Sequence, residues 1–216
     1  MLRLIFLLLL IAGPLQAGPW LRDKGTGFLS FSTIKKKAER LTDPLAYTSL
    51  YAEYGLRENL TLGLDLGGDD LGQYKAILFA LRPIRALGDK TRLTAEFGVG
   101  MVNDNFVLRP GVALGRGFQT FGKPGWLSLE MRAEMTPELK SFELGTDLTL
   151  GLSPWERGKV IFQVQSGGTM ADPDYLRVAP SFVYEIKPGR HLEIGATAGL
   201  KNAEKYGIKL GVWRSF

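Results

Sequence analysis

Leu127-Ser128-Leu129-Glu130-Met131-Arg132-Ala133-Glu134-Met135 is followed, after a short polar interruption, by Phe142-Glu143-Leu144-Gly145-Thr146-Asp147-Leu148-Thr149-Leu150. Apolar and polar residues alternate through both stretches. A period of two puts Leu127, Leu129, Met131, Ala133 and Met135 on one face of an extended strand and Ser128, Glu130, Arg132 and Glu134 on the other. Leu60-Thr61-Leu62-Gly63-Leu64-Asp65-Leu66 repeats the pattern upstream. No segment beyond the N-terminus shows a helical repeat, so the chain reads as all-β.

Working outward from these stretches, the alternation predicts about twelve strands, near 25–34, 46–56, 59–67, 73–83, 91–102, 105–117, 125–136, 140–152, 158–166, 175–187, 190–200 and 205–216. The connectors are short and rich in turn formers, as in Arg57-Glu58-Asn59, Leu87-Gly88-Asp89-Lys90, Gly122-Lys123-Pro124-Gly125 and Lys187-Pro188-Gly189. An even number of strands about 9–11 residues long suits a tilted antiparallel barrel crossing a bilayer. Both chain ends are then expected in the periplasm, with residues 35–45 as the longest external loop.

The N-terminus has a different character. Met1-Leu2-Arg3 supplies one positive charge ahead of Leu4-Ile5-Phe6-Leu7-Leu8-Leu9-Leu10-Ile11-Ala12-Gly13, and Pro14-Leu15-Gln16-Ala17 follows. This is the layout of a signal peptide over 1–17, too short in its apolar part to span a bilayer as a helix, with cleavage expected before Gly18. Residues 18–216 are expected to form one barrel domain. The chain has no cysteine, which excludes a disulfide framework. Its net charge of +5 is carried mostly by expected loops on an exported chain, so lipid phosphates, not nucleic acid, are the expected anionic partner.

Alternation sorts the residues into two sets. One face carries Leu50, Ala52, Tyr54, Leu56, Leu62, Leu64, Leu66, Leu93, Ala95, Phe97, Val99, Phe182, Tyr184, Ile186, Ile194, Ala196 and Ala198; the other carries charges interleaved with Gly63, Gly98, Gly100, Gly111, Gly145, Gly195 and Gly199. In a membrane barrel the first face meets lipid and the second lines the interior. A soluble barrel or sandwich would reverse the assignment. Export, the even strand number and the glycine-rich polar face favour the membrane. Tyr47, Trp126, Trp155, Tyr175 and Tyr206, near strand ends, are expected in interfacial girdles.

The last stretch, Lys205-Tyr206-Gly207-Ile208-Lys209-Leu210-Gly211-Val212-Trp213-Arg214-Ser215-Phe216, resembles the final strand of outer-membrane β-barrels in ending on phenylalanine. The resemblance implies that Phe216 is an assembly signal for the barrel-assembly machinery; the usual aromatic two places earlier is replaced by Arg214. Tyr51-Ala52-Glu53-Tyr54-Gly55-Leu56-Arg57-Glu58-Asn59-Leu60-Thr61-Leu62-Gly63-Leu64 resembles a strand-turn-strand phrase of the transporter-type barrels associated with phenol meta-pathway degradation. It covers one hairpin and implies a porin-like or transporter-like barrel.

Catalysis is not expected. The single histidine, His191, falls in an expected turn after strand ten, where a solvated role is the ordinary reading, and no Gly-x-Ser-x-Gly occurs. Gly117-Phe118-Gln119-Thr120-Phe121-Gly122-Lys123 copies P-loop spacing, but Pro124 follows where a hydroxyl is needed and no helix succeeds it. Asp69 with Asp70 and Asp172 with Asp174 read as turn formers before metal ligands. No cofactor or metal is expected.

The expected interior set is Glu53, Asp65, Arg82, Glu96, Arg109, Glu130, Arg132, Glu134, Glu143, Asp147, Arg177, Glu185 and Glu193. Either these charges flank a water-filled path for small polar or hydrophobic solutes, or they pair with Arg82, Arg109 and Arg177 and seal the barrel. Twelve strands fall between filled and open barrels. A soluble secreted β-protein is the third possibility. Lys35, Lys36, Lys37 and Arg40 form the one dense basic run, which reads either as a solvated loop or as a contact for lipopolysaccharide phosphates in an outer membrane.

Overall fold

The alternation becomes twelve antiparallel strands in a computed structural model that describes residues 18–37, 45–137, 142–169 and 175–216. They are β1 Gly27–Lys37, β2 Leu45–Arg57, β3 Leu60–Asp69, β4 Tyr74–Ala86, β5 Thr91–Val102, β6 Asn105–Thr120, β7 Lys123–Met135, β8 Phe142–Trp155, β9 Gly158–Thr169, β10 Tyr175–Lys187, β11 Arg190–Lys201 and β12 Tyr206–Ser215. Each pairs with its sequence neighbours, and β1 pairs with β12 to close the barrel. At the seam Phe28 faces Ser215 and Lys37 faces Tyr206. Gly27 N donates to Phe216 O (2.7 Å) and Phe216 N to Gly27 O (3.0 Å), so the final residue extends the seam with its backbone. Closure leaves no strand edge unpaired, the condition for spanning lipid with strands. The start of β1 and the end of β12 lie at one end, here the terminal end; the opposite end is distal.

Burial is inverted relative to a soluble protein. Arg109 is 1% exposed, whereas Leu78 is 59% exposed, and Phe97, Ile194, Ile208 and Leu210 share its outward, exposed character. An aliphatic belt facing outward around buried charge is stable only where the surroundings are apolar. The soluble alternative fails on this observation. The outward apolar residues expected from the sequence, Tyr54, Leu62, Phe97, Phe182 and Ile194 among them, are exposed on the barrel's outer surface.

The girdle expectation needs correction. Trp155 and Tyr206 are exposed on the outside, but Trp126 is buried. It shares the inward face of β7 with Ser128 and Glu130, two and four residues on. Tyr47 lies under the Lys36 ammonium, and Tyr175 under the Arg177 guanidinium. Position near a strand end cannot specify a face; parity does.

The β6–β7 hairpin has the tightest turn chemistry. Thr120 pairs with Lys123, and Phe121 and Gly122 take φ of 48° and 72°. Two left-handed residues in a two-residue loop form a type I′ turn, which favours Asn-Gly. The equivalent distal turn between β5 and β6 uses Asn103 and Asp104, at φ 47° and 65°. Phe121 is 98% exposed, so no packing offsets its backbone strain. Phe121→Asn should therefore stabilise the barrel by about 1 kcal/mol, read as a higher urea midpoint of the folded protein in detergent; an unchanged or lower midpoint would show that the exposed ring contributes to stability.

Candidate channel lumen

Inward parity brings most of the expected charges into one ladder across β3 to β8. Lys75 Nζ lies 2.8 Å from Asp65 Oδ2, and Arg109 Nη1 donates to the same oxygen at 2.6 Å. Arg109 Nε sits 2.8 Å from Glu96 Oε1 as a charge contact without hydrogen-bond alignment. Arg132 then bridges two carboxylates, from Nε to Glu96 Oε2 at 2.9 Å and from Nη2 to Glu130 Oε2 at 2.6 Å. Glu134 approaches Arg109, and Asp147 approaches Arg132, each at 3.8 Å. Past Lys75 the inward face of β4 is apolar: Ile77, Phe79 and Leu81 are buried. Phe79 stacks on Tyr51 and lies 5.2 Å beneath the Arg109 guanidinium. Gly63 makes room for this ring, since a Cβ there would collide with it.

A second group lies nearer the distal mouth. Lys36 Nζ donates to Glu204 Oε1 at 2.7 Å, with Arg177 Nη1 3.8 Å from Oε2 of the same carboxylate. Arg177 Nε also donates to Gln165 at 2.8 Å. A third pair, Lys209 with Glu193 at 2.9 Å, lies toward the terminal end, where Glu193 also accepts from Trp213 Nε1 at 3.0 Å.

The terminal end is occupied by the chain itself. From Gly25, whose amide donates to Gly55 O, the segment preceding β1 turns into the lumen. Arg22 N donates to Thr61 Oγ1 at 2.9 Å and its guanidinium Nε to Glu53 at 2.5 Å. Pro19 O accepts from the Thr94 hydroxyl at 2.6 Å. Trp20 packs with Trp213 against the buried cluster of Trp126, Ile161 and Val183. Gly115 and Gly55 provide the space, because a Cβ at either would run into Pro19 and Trp20, or into the backbone of Arg22 and Asp23.

Exposure follows this filling. The Asp147 side chain is 34% exposed, with Glu134, Lys75, Arg177 and Glu204 also partly open, while that of Glu193 is 2% exposed. Among the described residues, the charged side chains nearer the distal end are thus partly exposed, while the segment preceding β1 fills the terminal end.

No family model matches the sequence, and no curated protein matches it. Solved structures do. The NanC porin matches over 86% of this chain and 98% of its own, with a TM-score of 0.66 at 10% identity. The KdgM porin matches over 88% and 99%, with a TM-score of 0.64 at 8% identity. The COG4313 outer membrane channel from Pseudomonas putida F1 matches over 93% and 98%, at 0.60 and 12% identity. The fold is that of outer-membrane porin barrels. At such low identity the shared feature is the closed twelve-stranded frame, and the lumen contents belong to this chain.

Within that frame, most of the expected interior residues are inside, and three sequence readings are corrected. Arg82 is exposed on the outer face of β4, opposite Ala95. It follows the outward parity of Leu78 and Ala80, so it reaches the membrane edge and not the lumen. His191 is not a solvated turn residue: it is the second residue of β11, 3% exposed, with Nε2 3.9 Å from Glu185 Oε1. Lys36 points inward to Glu204, leaving Lys35 and Lys37 as the exposed members of the basic run; Arg40 lies outside the described residues. Glu143 is exposed and lies opposite Glu134.

Asp69 Oδ1 accepts from the amides of Leu71 and Gln73, and Asp70 Oδ2 from that of Ala46, so both serve turn backbone. Asp172 and Asp174 lie outside the described residues. Sequence reasoning missed Arg22 and Trp20, which no periodic signal marks, and passed over Thr94 and Ser128, which share the inward parity of Glu96 and Glu130. Lys75, at the start of β4, was readable only by parity, and Glu204 lies in the connection between β11 and β12, where parity does not apply.

Proposed function

We propose that this chain is an outer-membrane, porin-like channel for small polar solutes, without catalysis, whose terminal mouth is narrowed by its own N-terminal segment. The carrying observation is the charged inward face, which runs from Lys36, Lys75 and Asp147 toward the distal mouth to Glu193 and Lys209. A barrel built only to be closed gains more from apolar filling, because buried ion pairs seldom stabilise beyond a packed hydrophobic alternative. Charge retained beside an open vestibule selects what passes. The acidic wall of Glu130, Glu134, Glu143 and Asp147 on β7 and β8 favours cations. On this reading a leader ends at Ala17, both termini are periplasmic, Phe216 serves barrel assembly, and Lys35 and Lys37 meet lipopolysaccharide phosphates at the outer rim.

A sealed barrel is the second reading, favoured by the buried Arg109 and by residues 18–23 in the mouth. Planar-bilayer recording separates the two. The channel should conduct and prefer cations, and Glu134→Gln/Asp147→Asn should lower the cation-to-anion permeability ratio roughly two- to fivefold, since the two charges beside a wet path together contribute about 0.5–1 kcal/mol. Folded barrel that carries no current, with or without residues 19–22, would leave the sealed reading standing.

A further inference from the structure

We infer that Glu130 and Ser128 form a receptor for a primary ammonium group inside the lumen, and that its occupant is the α-amine created on Gly18 when the leader is removed. The inference deepens the narrowed-channel reading and rests on its cleavage after Ala17. Three observations meet at this point. A methyl group built on the Gly18 Cα would stand 2.5 Å from Glu130 Oε1 and 3.5 Å from Ser128 Oγ. The α-nitrogen is bonded to the same carbon, about 1.46 Å away, so it falls in the same neighbourhood. Ser128 is 1% exposed, and its hydroxyl has no hydrogen-bond partner among the described residues.

Charge supplies the third observation. The ladder joins Asp65, Glu96, Glu130, Glu134 and Asp147 to Lys75, Arg109 and Arg132, two more carboxylates than cations. Arg132 already holds Glu130 Oε2, while Oε1 is the oxygen turned to Gly18. One further cation at this spot offsets part of the excess and gives the Ser128 oxygen a donor. A side chain at this position would press on the Glu130 carboxylate. Glycine lets the chain end come this close.

Leader removal is a hydrolysis. Water adds across the Ala17–Gly18 peptide bond, the Ala17 carbonyl carbon takes the oxygen and leaves as a carboxylate, and the Gly18 nitrogen ends as an ammonium. Before cleavage that nitrogen is a neutral amide with one N–H. After cleavage it carries a charge and three donors. The terminal mouth is therefore latched by processing, and the last contact of the plug forms only in the exported chain.

The test reads the amine directly. Protein is purified from membranes, its first residue is determined by mass spectrometry, and an acetylating reagent is applied near neutral pH for timed intervals. The chain should begin at Gly18. Its terminal amine should acetylate about tenfold more slowly than in Glu130→Gln, the effect of one close buried ion pair on an amine's protonation, with Ser128→Ala in between and all three equal in urea. Ser128→Ala leaves every charge in place, so it carries the test if Glu130→Gln does not fold by heat-modifiable migration. Equal rates in the folded proteins, or a first residue other than Gly18, overturn the inference. A barrel that passes no current still returns these rates, so failure of the channel reading is seen separately.

Discussion

Deleting residues 19–22 should raise single-channel conductance about threefold or more, because twelve strands enclose room for a path and this segment is what fills one end of it. The barrel wall does not depend on the segment: every strand is paired on both sides without it. The plug instead depends on the wall, through Thr94 to Pro19 O, Thr61 to Arg22 N, Glu53 to the Arg22 guanidinium, and the packing of Trp20. Removing residues 19–22 frees all four at once and opens the mouth to water, so the Glu53 carboxylate regains solvent when it loses Arg22. Trp20→Ala should give a smaller increase, since the polar ties remain. Conductance unchanged by the deletion, in protein that still shows heat-modifiable migration, would place the constriction at the Arg109 ladder and not at the mouth.

How far the lumen was readable from the sequence depended on how strictly the alternation held. In the middle of β7 and β8 the inward positions are mostly charged and the outward ones mostly aliphatic. Glu130, Arg132, Glu134 and Asp147 could therefore be placed inside, and all face the lumen. In β4 both faces are apolar over residues 76–81, with Ala76, Leu78 and Ala80 outside and Ile77, Phe79 and Leu81 inside. Parity carried no chemical label there, and Arg82 was assigned by its charge alone, to the wrong side. The lysine run read as a loop because three like charges hide a period of two, although Lys36 obeys it. His191 reads as a turn residue only through its closeness to Pro188 and Gly189; those two complete the connection, with Gly189 at φ 71°, and the strand expected over 190–200 already contains the histidine. Residues 18–23 follow no pattern. Their place is set by contacts with residues 31 or more positions away, which no local rule anticipates.

Arg109→Met should destabilise the folded barrel by about 3–5 kcal/mol, the largest effect of any single substitution in the lumen. The guanidinium is held between Asp65 and Glu96 and covers Phe79. Methionine keeps the aliphatic contact and removes only the charge and the donors. Asp65 retains Lys75, but Glu96, nearly as buried as Arg109, is left to Arg132, which already serves Glu130. The loss is chiefly the cost of a carboxylate stranded away from water, so it should be recoverable: Arg109→Met/Glu96→Gln should regain at least half of it. Arg177→Met, at a partly open site with Gln165 and Glu204 as partners, should cost no more than about 1 kcal/mol. Urea unfolding in lipid vesicles, followed by tryptophan fluorescence, measures all three. If Arg109→Met and Arg177→Met cost the same, water reaches both arginines, and the ladder is part of an open path instead of its narrowest point.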